Sequence, residues 1–456
     1  MSGPSRGPVR GILGLSVGTV IVRAMAALSQ ILLAFWLSPE QFGYWAAAMS
    51  SISLVAGLTN AGEVNGYLSG KGHDLKTTLR STFRINLVLT VIASGIAVTY
   101  LFTGNTFVAL LAAIAAVTIP FSGAADVSNA ASVKAGKYRY LVGVQTVAAI
   151  VRLALGVLVA ALTGSAIALA ISALTYFLVI EVGLFRVVRA ALRIEKPIET
   201  RVPVSTRVSW AANSLALTIP LQIGFFVAQF VASPALLGVF YLAYQITVGV
   251  AGFVAGPLGR VTLAQLGSLS DTARLNTAIK LSGIFGGGML VLVIMALWFA
   301  PLIQPLLSSE WQAAIPTTII LLASLPARMM GPVVDAYQQA TGKWWQGTAF
   351  NVVDAVGTAG AALFAISGDV LMLASAMAAW KVVFALVRAG MVYRSAGART
   401  LAGLMLPLTI ASGIVITLPS LPDAEIWILA VLSLATAGWT AWQLRPWLAR
   451  RKGSRG

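Results

Sequence analysis

The sequence predicts an all-α polytopic membrane protein: 14 transmembrane helices, in two repeated six-helix lobes followed by two C-terminal helices. Three observations carry this expectation. The 456 residues are 58% hydrophobic and only 10% charged, where a soluble domain carries about 25% charged residues, and the mean hydropathy is +0.88. Fourteen apolar segments approach the ~20 residues a helix needs to cross a ~30 Å hydrocarbon core. The basic residues fall between these segments in strict alternation.

In chain order, the first lobe, 1–187, holds segments 12–37, 42–66, 83–102, 107–131, 140–162 and 166–187. The first of these is read as a retained helix: it is too long for a signal peptide, contains Arg23 and lacks a clear small-residue cleavage site. A polar linker follows at 188–208, with two prolines and several charges. The second lobe, 209–393, holds segments 209–231, 237–263, 279–305, 313–339, 346–366 and 370–393. Residues 394–456 add segments 402–418 and 425–444 and a basic tail. Pro220, Pro326 and Pro332 fall inside spans and free backbone hydrogen bonds there, allowing either a static kink or a bend that moves.

Orientation follows from Lys and Arg, which concentrate on the cytoplasmic side. With a cytoplasmic N-terminus, 27 of the 31 basic residues lie on inside segments and helix ends, and the outside loops hold none. Those loops carry only the acids Glu40, Glu310, Asp369, Asp423 and Glu425. Both termini are therefore expected in the cytoplasm, in the cell inner (plasma) membrane. The net charge of +17 is topology set against anionic headgroups rather than a nucleic-acid surface.

Two internal matches support the duplication. Ser38-Pro39-Glu40-Gln41-Phe42-Gly43 joins spans one and two, and Ser233-Pro234-Ala235-Leu236-Leu237-Gly238 joins spans seven and eight, 195 residues later. Ala135-Gly136-Lys137-Tyr138 precedes span five and Thr341-Gly342-Lys343-Trp344 precedes span eleven. The stretches LAFWLSPEQFGYWAAAMSS at 33–51 and NAASVKAGKYRYLVGVQTVAAIVRLALGVLVA at 129–160 resemble Wzx-type polysaccharide flippases of the multidrug/oligosaccharidyl-lipid/polysaccharide (MOP) exporter superfamily. The resemblance runs along most of 1–393 and fades in the last two spans. It implies two lobes around a central cavity that opens alternately to each side of the membrane. The cargo it implies is an oligosaccharide on a polyprenyl diphosphate, moved for cell-envelope polysaccharide biosynthesis. Membrane lipid, a polysaccharide polymerase and glycosyltransferases are the expected partners; nucleic acid is not.

Four cations remain inside spans: Arg23, Arg152, Arg328 and Lys381. At 1.5 Å per residue each lies ~16–18 Å from the cytoplasmic end of its span, where a cation costs at least ~2.5 kcal/mol and faces protein or a watery cavity. Ser16, Thr19, Arg23 and Gln30 share one helical face; Gln145, Ala149, Arg152 and Gly156 share another; Ser324, Arg328, Gly331, Asp335 and Gln339 a third. Such stripes either line the cavity or pack helices with polar glue. Arg23 and Arg152 have no acid at their depth and suit a diphosphate, which an arginine grips in bidentate fashion. Asp354 can reach Arg328 or Lys381, and with Asp335 it is the candidate coupling or gating acid, or else half of an ordinary buried ion pair.

Other chemistries lack their residues. There is no cysteine and only one histidine, His73, so no thiolate or multi-histidine metal site is expected, and no cofactor. No phosphate-binding loop for ATP is present. The short outer loops leave no room for a glycan polymerase or ligase site, so no enzyme is expected. The alternative within the same fold is a MATE-like drug/cation antiporter, which calls for a mid-membrane carboxylate rather than a cationic cavity.

Overall fold

The computed structural model describes residues 22, 24–59, 62–69, 74–195, 203–267, 269–417 and 435. Most of the expected first span, part of the 188–208 linker, span 425–444 and the basic tail fall outside the described residues. So do Ser16, Thr19, Arg23 and His73. The described residues are helical without strands, and ten of their helical stretches are long and apolar enough to cross a membrane. The chain is a multi-pass membrane protein.

Contacts group it into two units, 1–241 and 242–456. The first holds α1 (Ala24–Leu33), α2 (Pro39–Ala56), α3 (Glu63–Ser69), α4 (Leu75–Phe102), α5 (Thr106–Lys134), α6 (Tyr138–Thr163), α7 (Ile167–Ile194) and α8 (Val204–Ala228). The boundary falls inside α9 (Pro234–Gly267). The second unit continues with α10 (Asp271–Ile303), α11 (Ala314–Ala323), α12 (Leu325–Arg328), α13 (Met330–Ala340), α14 (Trp344–Ala362), α15 (Val370–Val392) and α16 (Ala398–Thr417).

Two spans differ from the sequence expectation. The span expected at 42–66 ends at Ala56 and resumes as the short α3 at Glu63. Gly57 caps α2, and Gly62 takes a φ of 77°, a left-handed conformation that a side chain would disfavour. The span expected at 313–339 is interrupted at Ser324 and Met329 into α11, α12 and α13. Pro326 and Pro332 supply no amide hydrogen to the preceding turn, and the ladder breaks beside them. The Ser324 hydroxyl donates to the Leu321 carbonyl at 2.7 Å, closing part of the gap.

In the first unit α5 is the central helix, packed on α2, α4 and α7, while α6 packs on α7 and α2 on α8. Small residues allow this closeness: Ala112, Ala115, Ala116 and Ala130 on α5 are all buried. In the second unit α10, α12 and α16 surround one apolar core that includes Met289, Val293, Leu325 and Val415. A second core, with Ala327, Met330, Val333 and Val334, binds α12 and α13 to α10 and α15. The broken span is thus the most enclosed part of that unit, with 67% of its window buried. Many lipid-length side chains on the outer helices stay exposed, such as Val91 on α4 at 67% and Val356 on α14 at 69%, as a bilayer solvent requires.

Candidate functional site

Arg152 stands near the middle of α6, about 21 Å from the Tyr138 end and 17 Å from the Thr163 end by helical rise. Its neighbours are aromatic. The guanidinium carbon is 5.8 Å from the Tyr176 ring centroid, and the phenols of Tyr176 and Tyr241 are its electrostatic partners. Its Nε is buried and has no hydrogen-bond acceptor, and no carboxylate pairs with it among the described residues. Arginine does not shed its proton in such a place, so a full charge is held beside the Tyr176 ring and the Tyr241 phenol. About two turns toward the N-terminal end of the same helix, Gln145 Nε2 donates to Asn129 Oδ1 on α5 at 3.2 Å. Gln30 on α1 is buried at 6% exposure with its Oε1 unpartnered.

The Tyr241 hydroxyl also accepts from Trp45 Nε1 at 3.2 Å, which links the surroundings of Arg152 to the chain around the starts of α2 and α9. There the two internal matches meet. Ser38 and Ser233 precede helices that begin with Pro39 and Pro234, where the missing amide costs nothing. A β-carbon on Gly43 would overlap the Pro234 carbonyl, and one on Gly238 would overlap the Pro39 carbonyl. The contact is reciprocal: the backbone at the start of α2 lies against the backbone at the start of α9. Around this clasp, Phe225 stacks edge-on to Tyr241 with centroids 5.6 Å apart. Tyr100 donates to Gln229 Oε1 at 2.7 Å and lies 2.7 Å from the Ser51 hydroxyl, so that α2, α4 and α8 share one polar node. Beside this node lies a cavity of about 610 Å³ lined by Gly43, Ser51, Tyr100, Gln229 and Pro234.

The second unit treats its cations differently. Lys381, at the centre of α15, donates to both oxygens of Asp354 at 2.8 Å and to the Thr358 hydroxyl at 2.7 Å. Trp380 Nε1 adds a bond to Asp354 Oδ1 at 3.0 Å. Arg328, at the end of α12, hydrogen-bonds the Tyr244 hydroxyl and is near enough to repel Lys381. It has no acid partner among the described residues. Two cations against one carboxylate leave this cluster with one positive charge in excess.

The sequence offered Asp354 a choice between Arg328 and Lys381, and the pair formed is with Lys381. Asp335 shares a helical face with Arg328 in the sequence but pairs with Arg388 instead. Arg388, read from the sequence as a helix-end cation, is 5% exposed and also donates to Gln338 Oε1 at 2.8 Å. Arg388 lies on α15, two helices beyond Asp335 on α13, and spacing within a single helix does not reveal such a pair.

Solved structures with this fold are multi-pass membrane transporters. A structure described as lipid II flippase MurJ in an inward closed conformation superposes with a TM-score of 0.68 at 14% identity, over 95% of this chain and 99% of that one. An inward-facing multidrug resistance MATE family transporter of the MOP superfamily gives 0.54 at 17% identity, over 87% and 98%. A MATE protein in a bent conformation gives 0.51 at 16% identity, over 89% and 97%. No curated protein sequence matches. A family model described as polysaccharide biosynthesis protein matches residues 32–316, more than half of the chain, and the chain belongs to that family. The resemblance of 33–51 and 129–160 to Wzx-type flippases of the MOP superfamily agrees with both findings.

Proposed function

We propose that this protein flips a polyprenyl-diphosphate-linked oligosaccharide from the cytoplasmic to the outer leaflet of the inner membrane, by alternating access and without enzymatic chemistry. It does so as fourteen helices with both termini in the cytoplasm. The two six-helix lobes are 1–187 and 209–393, joined by the 188–208 linker, and 394–456 is an appendage. The observation that carries the reading is Arg152: a mid-membrane cation with a buried, unpartnered Nε and no acid. A diphosphate supplies the missing counter-charge and the missing acceptors together. With Arg152 act Arg23, Arg328 and the excess charge beside Lys381, and Gln30, Gln145, Ser16 and Thr19 receive the neighbouring oxygens. The clasp between Gly43 and Gly238 is the outer gate, closed while the cargo enters from the cytoplasm.

A cationic drug is a poorer cargo. The mid-depth carboxylate Asp354 is already neutralised by Lys381, and a positive cluster repels a second cation. Asp335 and Asp354 are instead the coupling acids, each able to take a proton or an ion in exchange for its basic partner. The test is reconstitution in liposomes with a labelled lipid-linked oligosaccharide and, separately, a fluorescent cationic drug. Glycan exposure on the far leaflet that needs Arg152 is expected. Drug uptake without glycan movement would replace the flippase by the antiporter. Transport indifferent to both pH and sodium gradients would remove the coupling role of the two acids.

A further inference from the structure

At the end of the second unit assigned above to the cytoplasm, α13, α14 and α15 enclose a cavity of about 760 Å³. Its lining changes character along its length. Lys343, Gln346 and Arg394, at the start of α14 and just beyond α15, form its polar end, and Phe350, Val353 and Met391 line it further along these two helices. Gln346, Phe350 and Val353 are four and three residues apart and share one face of α14. The change from cationic to apolar is therefore complete within about 10 Å of helix. Val353 and Met391 are 52% and 59% exposed, so the apolar half is open sideways to lipid. Trp345, next to Gln346 in the chain and 62% exposed, is the residue type that settles at the level of the headgroups.

The polar floor is built and incomplete. Gln338 is 1% exposed; its Oε1 accepts from Arg388, while its Nε2 has no acceptor. Arg388 is fixed in turn by Asp335 and by the Phe350 ring, 5.4 Å from its guanidinium carbon. No acid lines the cavity, and the nearby Asp335 is engaged by Arg388. The cavity lining therefore offers two cations without an acid and a buried donor that lacks an oxygen.

We propose that this cavity binds an anionic phospholipid of the cytoplasmic leaflet. Lys343 and Arg394 hold its phosphate, the Gln338 amide donates to a headgroup oxygen, and an acyl chain lies along Phe350, Val353 and Met391. A free phosphate satisfies the cations equally but leaves the apolar half without an occupant. The leaflet rests on the orientation proposed above; the binding does not.

The test uses the full chain in detergent, where both faces are accessible, so orientation does not enter. Native mass spectrometry and thermal melting are followed with phosphatidylglycerol, phosphatidylcholine and inorganic phosphate. Phosphatidylglycerol is expected to stay bound and raise the melting temperature, the other two to do neither. Lys343→Gln with Arg394→Gln, both at exposed positions, should weaken phosphatidylglycerol roughly 30-fold, about five-fold for each cation. Lys137→Gln with Arg139→Gln removes the same charge from the start of α6 and should leave binding unchanged. Equal weakening in both variants would reduce the site to general surface attraction. Inorganic phosphate displacing the lipid would make it a free-anion site, and no retained phosphatidylglycerol would end the proposal. Thiol labelling of Lys343→Cys in whole cells tests the orientation separately.

Discussion

Arg152 and Lys381 occupy comparable depths in helices of similar length, yet their surroundings are opposite. Lys381 has a hydroxyl and a carboxylate within 3 Å, and the carboxylate is itself braced by the Trp380 indole. Arg152 has two phenols and an Nε with nothing to bond. A buried ion pair returns much of its desolvation cost through its own attraction, and its parts are not free to serve a ligand. A buried charge without a counter-ion stays costly until something anionic arrives. On the proposed function, the difference separates a cation held in an ion pair within the second unit from one that would meet the cargo.

The widest break in that comparison comes from removing each charge in turn. Arg152→Ala should lower flipping at least ~100-fold, as expected for loss of bidentate charged contacts, with expression and melting unchanged. Arg152→Lys should restore part of the activity, because a point charge recovers attraction without the planar fork. Loss of the folded protein in Arg152→Ala would return Arg152 to the structural class.

Lys381→Ala should behave in the contrary way. It strands Asp354 in a buried site, a cost of ~3–5 kcal/mol, and the readout is a lower melting temperature and yield. Lys381→Met combined with Asp354→Leu replaces the pair by apolar groups of similar size and should recover stability, since such exchanges are often neutral or better. If the double variant melts as low as the single one, the pair is not what Lys381 contributes.

How much of this contrast was legible in the sequence depends on distance along the chain. The depth of Arg152, Arg328 and Lys381 follows from helical rise, and so does the polar stripe through Gln145 and Gly156. The break around Arg328 was written in Pro326 and Pro332, because a missing amide acts locally. Partner choice was not legible: Asp354 faces Lys381 across 27 residues and Asp335 faces Arg388 across 53, and helix rotation decides both. The early end of α2 was hidden because 42–66 stays apolar enough to continue. Only the glycines at 57 and 62 marked the turn.

A smaller effect comes from the clasp above Arg152. Gly238→Ala places a methyl group on the Pro39 carbonyl, and overpacking of this kind costs ~1–3 kcal/mol. The arrangement with the two helix starts in contact should lose population by about 5- to 150-fold relative to one in which they part. Because the native chain has no cysteine, a single thiol at Leu236, 8% exposed when shut, reports the opening to an impermeant maleimide. Gly43→Ala should act alike, since the contact is reciprocal. Faster labelling in only one of the two would mean that the hairpins do not form a symmetric gate.

The finest test asks whether gate and cation communicate. Trp45 Nε1 donates to the Tyr241 hydroxyl, and that phenol is one of the two neighbours of Arg152. Trp45→Phe keeps an aromatic ring on α2 and deletes the donor, a loss of about 1 kcal/mol for a neutral hydrogen bond. The gate should then open roughly five times more often, a shift that the Leu236→Cys label resolves. Cargo that binds Arg152 also changes the charge beside Tyr241, so the same bond lies between ligand and gate. Combining Trp45→Phe with Arg152→Lys and measuring gate opening closes a double-mutant cycle, in which contacting residues interact by ~0.5–3 kcal/mol. A nonzero interaction means that occupancy at Arg152 biases the outer clasp through Tyr241. Strict additivity would leave Arg152 a binding residue only, with the gate answering to some other part of the chain.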